Sequence, residues 1–204
     1  MSIKEAIAQR RSIRKYTAQA VPKALVLEVL EAARWAPSAH NAQPWRFITV
    51  FDGAVKRRLA EAMADAWVKD VAKDGLVVEQ SLLDVSIQCF SNAPVLIVAC
   101  LSMESMTKYP DAKRQQCEHD LAVQSLGAAI QNLLLSAHER GLGACWFATP
   151  VFCKEAVRTV LAVPEDVEPQ AIVLMGYPNE KPNAPKRKTL EEFCFVDAWG
   201  KPAL

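Results

Sequence analysis

Nowhere in the 204 residues does an uninterrupted apolar stretch approach the roughly 20 residues that a bilayer-crossing helix needs. The start, Met1-Ser2-Ile3-Lys4-Glu5, also lacks a basic stretch followed by an apolar run. No membrane association is expected, and the chain reads as cytoplasmic. An excess of charge is absent too: 24 Lys and Arg against 23 Asp and Glu leave a formal net charge of +1, which argues against a general basic coat for nucleic acid. The six cysteines (Cys89, Cys100, Cys117, Cys145, Cys153, Cys194) contain no CxxC pair and stand mostly among apolar residues. That usage suits free buried thiols in a reducing compartment. A metal centre is not expected, because His40, His119 and His138 are scattered, and Cys117 and His119 lie two apart on a helix and point to different faces. His119 is expected to be a hydrogen-bonded histidine near a helix start. Gly141-Leu142-Gly143 lacks the third glycine of a dinucleotide fingerprint and runs from helix into strand, the opposite order. No Ser, Cys or Lys stands in a nucleophile signature, and Cys145, between Ala144 and Trp146, reads as a small core residue. An enzyme without its own nucleophile or acid–base pair often takes its chemistry from a cofactor.

What is present is enough apolar sequence, 51% of residues, to bury one substantial core, so residues 1–204 are expected to form a single domain. Ser2 and Glu5 are spaced as a capping box for a helix over Ile3–Arg11. Apolar spacing predicts further helices at Lys23–Ala36, Ala54 to about Lys73, Val78 to about Phe90, Asp111–Arg140 and Val151–Ala162. Strands are expected at Trp45–Phe51, Ala93–Leu101, Leu142–Ala148 and Pro169–Tyr177. Gly127, Ala128 and Ala129 make a smooth patch on the longest helix, suited to close approach by another helix. From Pro178 the composition becomes too proline-rich for regular structure, leaving an extended arm over 178–204. There is no internal repeat, and helices alternating with about four strands predict an α+β sandwich.

Against this frame Gln9-Arg10-Arg11-Ser12-Ile13-Arg14-Lys15-Tyr16 stands out, with three guanidiniums and a hydroxyl within five residues. Arg presents a planar fork of donors that matches phosphate oxygens, and Ser adds a short neutral donor. A solvated basic helix end, favoured by the macrodipole, accounts for the same residues. Three other stretches could hold a cofactor: the loop Ser38 to Gln43 with its hydroxyl, imidazole and amides, the Cys145 to Thr149 turn with Trp146 and Phe147, and the basic tail Lys186-Arg187-Lys188.

In this order these residues resemble the FMN-dependent nitroreductase family. The resemblance rests on Arg10 to Tyr16, on Ala36-Pro37-Ser38-Ala39-His40-Asn41-Ala42-Gln43-Pro44-Trp45, on Gly141 to Trp146, on Gly176-Tyr177-Pro178 and on the basic tail. It implies an α+β sandwich with a central, mostly antiparallel sheet flanked by helices, assembled as an intertwined homodimer with two FMN sites at the interface. It further implies that Arg10, Arg11, Ser12, Ile13 and Arg14 bind the ribityl phosphate, joined by Lys186 or Arg187. Pro37, Ser38, Ala39, His40, Asn41 and Gln43 would come from the other subunit to line the isoalloxazine. Trp146, Phe147, Ala148 and Thr149 would cover its other side. Hydride would pass from NAD(P)H to a small second substrate in a ping-pong cycle. Within the family the chain is similar to the FMN-binding C-terminal domain of the bifunctional coenzyme F420 biosynthesis protein, through Trp67 to Gly75, Tyr109 to Ala112, Glu118-His119, Val123 to Ala129 and Arg140 to Trp146. That likeness implies an F420 precursor as acceptor or reduced F420 as donor, and substrate contacts from Trp67, Lys69 and Asp70 on the helical excursion near 54–90. The F420 protein carries a glutamyl ligase domain ahead of this one, for which 204 residues starting at Met1 leave no room, so ligase activity is not expected.

Overall fold

The computed structural model describes residues 1–202. Helix α1 (Ile3–Gln9) opens on the expected capping box: Ser2 Oγ accepts from the Glu5 amide at 3.2 Å, and Glu5 Oε2 accepts from the Ser2 amide at 2.7 Å. It stops two residues before its expected end. At Arg10 ψ turns to 135°, so Arg10 and Arg11 leave the helix on extended backbone. Arg11 Nη1 still donates to the Ala8 carbonyl in the last turn of α1, so the helix end accounts for that arginine.

What draws the chain out of α1 is the sheet. Strands β1 (Trp45–Val50), β2 (Val95–Ser102), β3 (Gly143–Phe147) and β4 (Val167–Gly176) form one sheet in the order β1-β2-β4-β3, every pairing antiparallel. On the outer side of β3 the Ile13 amide donates to the Ala144 carbonyl at 3.0 Å, and Ser12 forms a parallel bridge with Ala144. Further on, Thr17 N donates to Tyr177 O and Asn179 N to Lys15 O, both at 2.9 Å. These approaches are close enough to require glycine. A Cβ at Gly143 would lie 2.7 Å from the Ile13 side chain, and one at Gly176 would lie 2.6 Å from Pro94 and 2.9 Å from Tyr16. The glycines flanking β3 and β4 thus let the basic segment lie on the sheet.

The continuous apolar run of β2 is buried on both faces, as its composition requires. Val95, Ile97, Ala99 and Leu101 face a core built with α2 (Lys23–Arg34) and α5 (Ala112–Glu139). Leu96, Val98 and Cys100 face a second core under α3 (Gly53–Ala72), α4 (Gln80–Ser91) and α6 (Lys154–Leu161). Each fully buried aliphatic side chain in these layers contributes about 1.5–3 kcal/mol relative to exposure. The result is a helix–sheet–helix sandwich, the expected α+β class. Among the described residues no helix is long and apolar enough to cross a membrane.

Element boundaries depart from expectation where turn chemistry intervenes. The expected helix 151–162 divides into a 3₁₀ turn at Thr149–Phe152 and α6, with Cys153 between them at φ −140°. Strand β4 begins at Val167, ahead of Pro169, because a bulge sets Ala99 opposite Ala171 and Cys100 opposite Pro169, leaving Gln170 extra. A bulge is where a strand tolerates proline. Gly127 receives the Trp146 indole, whose Cη2 would lie 3.7 Å from a Cβ there, while Ala129 is buried in the core that α5 shares with α2. All six cysteines are free, but only Cys100, Cys145 and Cys153 are buried; Cys117 and Cys194 are exposed. The extended arm carries a short turn at Leu190–Glu192, and its last two expected positions lie outside the described residues.

Candidate active site

The basic cluster is gathered around one cavity. Arg10, Arg11, Ser12 and Arg14 line a cavity of about 280 Å³ closed by Pro182, Asn183, Pro185 and Arg187 of the arm. Arg187 joins the arginines, whereas Lys186 does not line this cavity. The arm is fixed by Glu180, whose Oε1 accepts from the Arg14 amide at 2.5 Å and the Lys15 amide at 3.1 Å. Among the described residues none of Arg10, Arg14 and Arg187 pairs with a carboxylate side chain. Burial, then the nearby Arg187 charge, pushes the Arg10 guanidinium below its ordinary pKa. Cations held together without counterions fit a phosphate, which would remove the repulsion and satisfy the donors. Arg11 is partly occupied, since Nη1 donates to the carbonyls of Ala8 at 2.8 Å and Arg10 at 2.7 Å. Ile13 is buried and points away into Gly143, and its amide is committed to the Ala144 carbonyl.

The Trp146 to Thr149 stretch is partly strand. Residues 145–147 belong to β3, with backbone paired to β4, so the expected turn begins only at Ala148. Phe147 packs against Phe90 in a tilted arrangement with ring centroids 5.0 Å apart, and the Arg14 guanidinium lies 5.9 Å from its ring centre. Trp146 stays partly exposed over Gly127.

The Pro37 to Gln43 loop is under backbone strain. His40, Asn41 and Gln43 all adopt positive φ (55°, 52° and 47°) without being glycine, which costs of order 1–2 kcal/mol each. Hydrogen bonds hold the conformation: Ser125 Oγ accepts from the Ala39 amide at 3.1 Å, and Ser38 Oγ accepts from the Gln43 amide at 3.1 Å. Asn41 and Gln43 line a shallow hollow with Arg34 and Trp35 that shares no residue with the arginine cavity. One chain does not bring the two groups onto a common cavity.

Helices α3 and α4 enclose a third space. Trp67 and Asp70 face Ala148, Thr149 and Phe152 across a cavity of about 610 Å³. Lys69 does not line it, and Asp70 accepts from Lys73 Nζ at 2.9 Å.

The model of the nitroreductase family matches residues 7–177. The chain belongs to the nitroreductase family. A Methanothermobacter thermautotrophicus protein provisionally named NADH dehydrogenase/NAD(P)H nitroreductase is 35% identical over 185 residues, covering 89% of this chain and 80% of that one. A Bacillus subtilis protein provisionally named NAD(P)H nitroreductase YfhC is 30% identical, covering 93% and 91%. The crystal structure of a Desulfovibrio desulfuricans nitroreductase-type protein in complex with FMN superposes with a TM-score of 0.72 at 27% identity, covering 94% and 95%. Membership makes the protein an FMN-dependent oxidoreductase, as the sequence suggested.

Three features of this nitroreductase-family chain were not anticipated as site residues. His138 borders a cavity of about 530 Å³ with Arg10 and Arg11, its Nε2 buried without a partner among the described residues. Burial, then the two arginines, lowers its pKa. Glu168 anchors the far end of β4: Lys154 Nζ and His119 Nε2 both donate to it, the latter at 3.1 Å. Burial would raise its pKa, yet those hydrogen bonds outweigh burial and hold it below the ordinary glutamate value. This confirms His119 as a hydrogen-bonded helix histidine. Glu118 is buried beneath His40. Only Glu118 left a trace in the sequence, as an acidic residue on the stripe Glu118, Ala122, Ser125, Ala129 that α5 buries.

Proposed function

We propose that the protein takes hydride from NAD(P)H and passes it to a small conjugated acceptor in a ping-pong cycle, with FMN seated between two copies of the chain. The observation that carries the reading is the set of uncompensated guanidiniums of Arg10, Arg14 and Arg187 around a phosphate-sized cavity. When bound, FMN would supply reversible hydride transfer. The chain's own residues supply the rest. Arg10, Arg14 and Arg187, with Ser12 Oγ, bind the phosphate, and Lys186 stays outside. Phe147, packed against Phe90, and Trp146 present aromatic surface beside the cluster. Pro37, Ser38, Ala39, His40, Asn41 and Gln43 come from a second subunit, because in one chain they stand on a separate cavity. The exposed Phe193, Val196 and Trp199 of the arm pack against that subunit. Residues 53–91 form the acceptor pocket, with Trp67 as its planar wall and Ala148 and Thr149 at its flavin side.

A second reading concerns the partner of the flavin. Asp70 lines the same space as Trp67, and an acidic group beside an indole suits a large planar, hydrogen-bonding heterocycle. Reduced F420 as donor, or a dehydro-F420 precursor as acceptor, fits that description. Stopped-flow reduction under anaerobic conditions tests both. NADH or NADPH is expected to bleach the bound flavin; bleaching by reduced F420 alone would favour the second reading, and no bleaching by any of the three would overturn both.

A further inference from the structure

A flavin site must deliver a proton as well as a hydride if its acceptor is a quinone or an enone, and the basic cluster offers no acid for that task. A buried carboxyl and an exposed imidazole stand together on the Pro37 to Gln43 side of the molecule. Glu118 on α5 is only 4% exposed, and Oε2 accepts from the Thr107 amide at 3.2 Å. Its other oxygen, Oε1, lies 3.4 Å from Nε2 of His40, whose side chain is 55% exposed. A carboxylate this deeply buried needs a charged or strongly donating partner, and His40 is the only ionisable group recorded against it among the described residues. His40 itself adopts a positive φ of 55°, a conformation that costs energy, in a loop held by the Ser125 and Ser38 hydrogen bonds.

We propose that Glu118 and His40 form a proton-donating dyad on the loop that faces the flavin, an inference that rests on the reading given under Proposed function. Glu118 is the positioning residue. Glu118 Oε1 stands 3.4 Å from Nε2, which leaves Nδ1 as the outward ring nitrogen. His40 is the catalytic residue. As a quinone or enone acceptor receives the hydride with its electron pair, the Nδ1–H bond breaks and an O–H bond forms on the acceptor's carbonyl oxygen. The ring becomes neutral with its remaining proton on Nε2, and Nδ1 recovers a proton from solvent through the exposed face. Substrates and products differ by one hydride and one proton, so no other reagent is required.

Two measurements test this. In ¹⁵N-histidine spectra of the protein without flavin, the neutral His40 ring is expected to carry its hydrogen on Nε2, and Glu118→Gln is expected to remove that preference. In anaerobic half-reactions, reoxidation of the reduced protein by a quinone is compared with reoxidation by ferricyanide, which accepts electrons without a proton. The quinone-to-ferricyanide rate ratio is expected to fall about 100-fold in both Glu118→Gln and His40→Gln, the lower range for general acid catalysis, with no further fall in the double variant. A ratio within twofold of the unsubstituted protein, or a tautomer unmoved by Glu118→Gln, overturns the dyad. His40 is largely exposed, so His40→Gln remains informative if Glu118→Gln does not fold. Failure of the unsubstituted protein to bind FMN or to be reduced overturns the functional reading instead, and shows in the ferricyanide arm.

Discussion

Replacing Arg10 and Arg14 together by alanine isolates the phosphate end of the proposed site. Among the described residues neither side chain donates a hydrogen bond to another group; the Arg14 guanidinium lies 5.9 Å from the Phe147 ring centre, and its backbone is held by Glu180 whatever its side chain. A hydrogen bond to a charged group contributes about 1.5–3 kcal/mol, so losing one from each arginine costs roughly 3–6 kcal/mol of FMN binding. Relief of the crowding with Arg187 in the ligand-free protein offsets part of this, which favours the lower end. At about 1.4 kcal/mol per tenfold, the dissociation constant for FMN should rise about 100-fold. Riboflavin, which lacks the phosphate, should bind within about threefold of its original affinity, since no charge-assisted bond is lost. Quenching of flavin fluorescence measures both constants on the same preparations. The ligand-free double variant should melt no lower than the parent, because the removed charges repel one another. Equal loss of both ligands, or a lowered melting temperature, would refute the phosphate-clamp reasoning and point to a folding role.

Gly143→Ala places a methyl group 2.7 Å from Ile13, and overpacking of that kind costs about 1–3 kcal/mol; urea titration should show it, together with weaker FMN binding as the basic segment lifts from β3. Glu168 sits below its ordinary pKa in the folded state, so its stabilisation is complete above the unfolded value near 4.5 and fades as pH falls through the folded value. Glu168→Gln should therefore narrow the gap between variant and parent stability as pH is lowered below that value, and a gap that stays constant would refute the linkage. Trp67→Ala should raise KM for aromatic acceptors about 3–10-fold while leaving flavin reduction by NAD(P)H little changed, because stacking is worth about 0.5–1.5 kcal/mol and the two half-reactions are separate.

Much of this arrangement was legible in the chain. The capping box at Ser2, the doubly buried β2 and the gathering of Arg10, Ser12 and Arg14 follow from local spacing, because helix caps, apolar runs and charge clusters act on neighbours. The exit of the chain from helix at Arg10 was not legible, because it depends on the Ile13 amide finding Ala144, over a hundred residues away. Trp146 on Gly127 and Glu118 under His40 were hidden for the same reason: both contacts are set by how helices lie on the sheet, not by local pattern. Lys186 and Arg187 look alike in sequence; only the path of the arm, pinned by Glu180, separates them. Lys69 and Asp70 are adjacent on α3 and therefore point apart, and only Asp70 reaches the cavity.

The crystal structure of the FMN-bound protein tests the central claim most directly. The account predicts the phosphate within hydrogen-bonding distance of Arg10, Ser12, Arg14 and Arg187, and the isoalloxazine flanked by Ser38 to Gln43 of a second subunit. A phosphate seated instead in the cavity beside His138, or a ring lined by one chain alone, would contradict it.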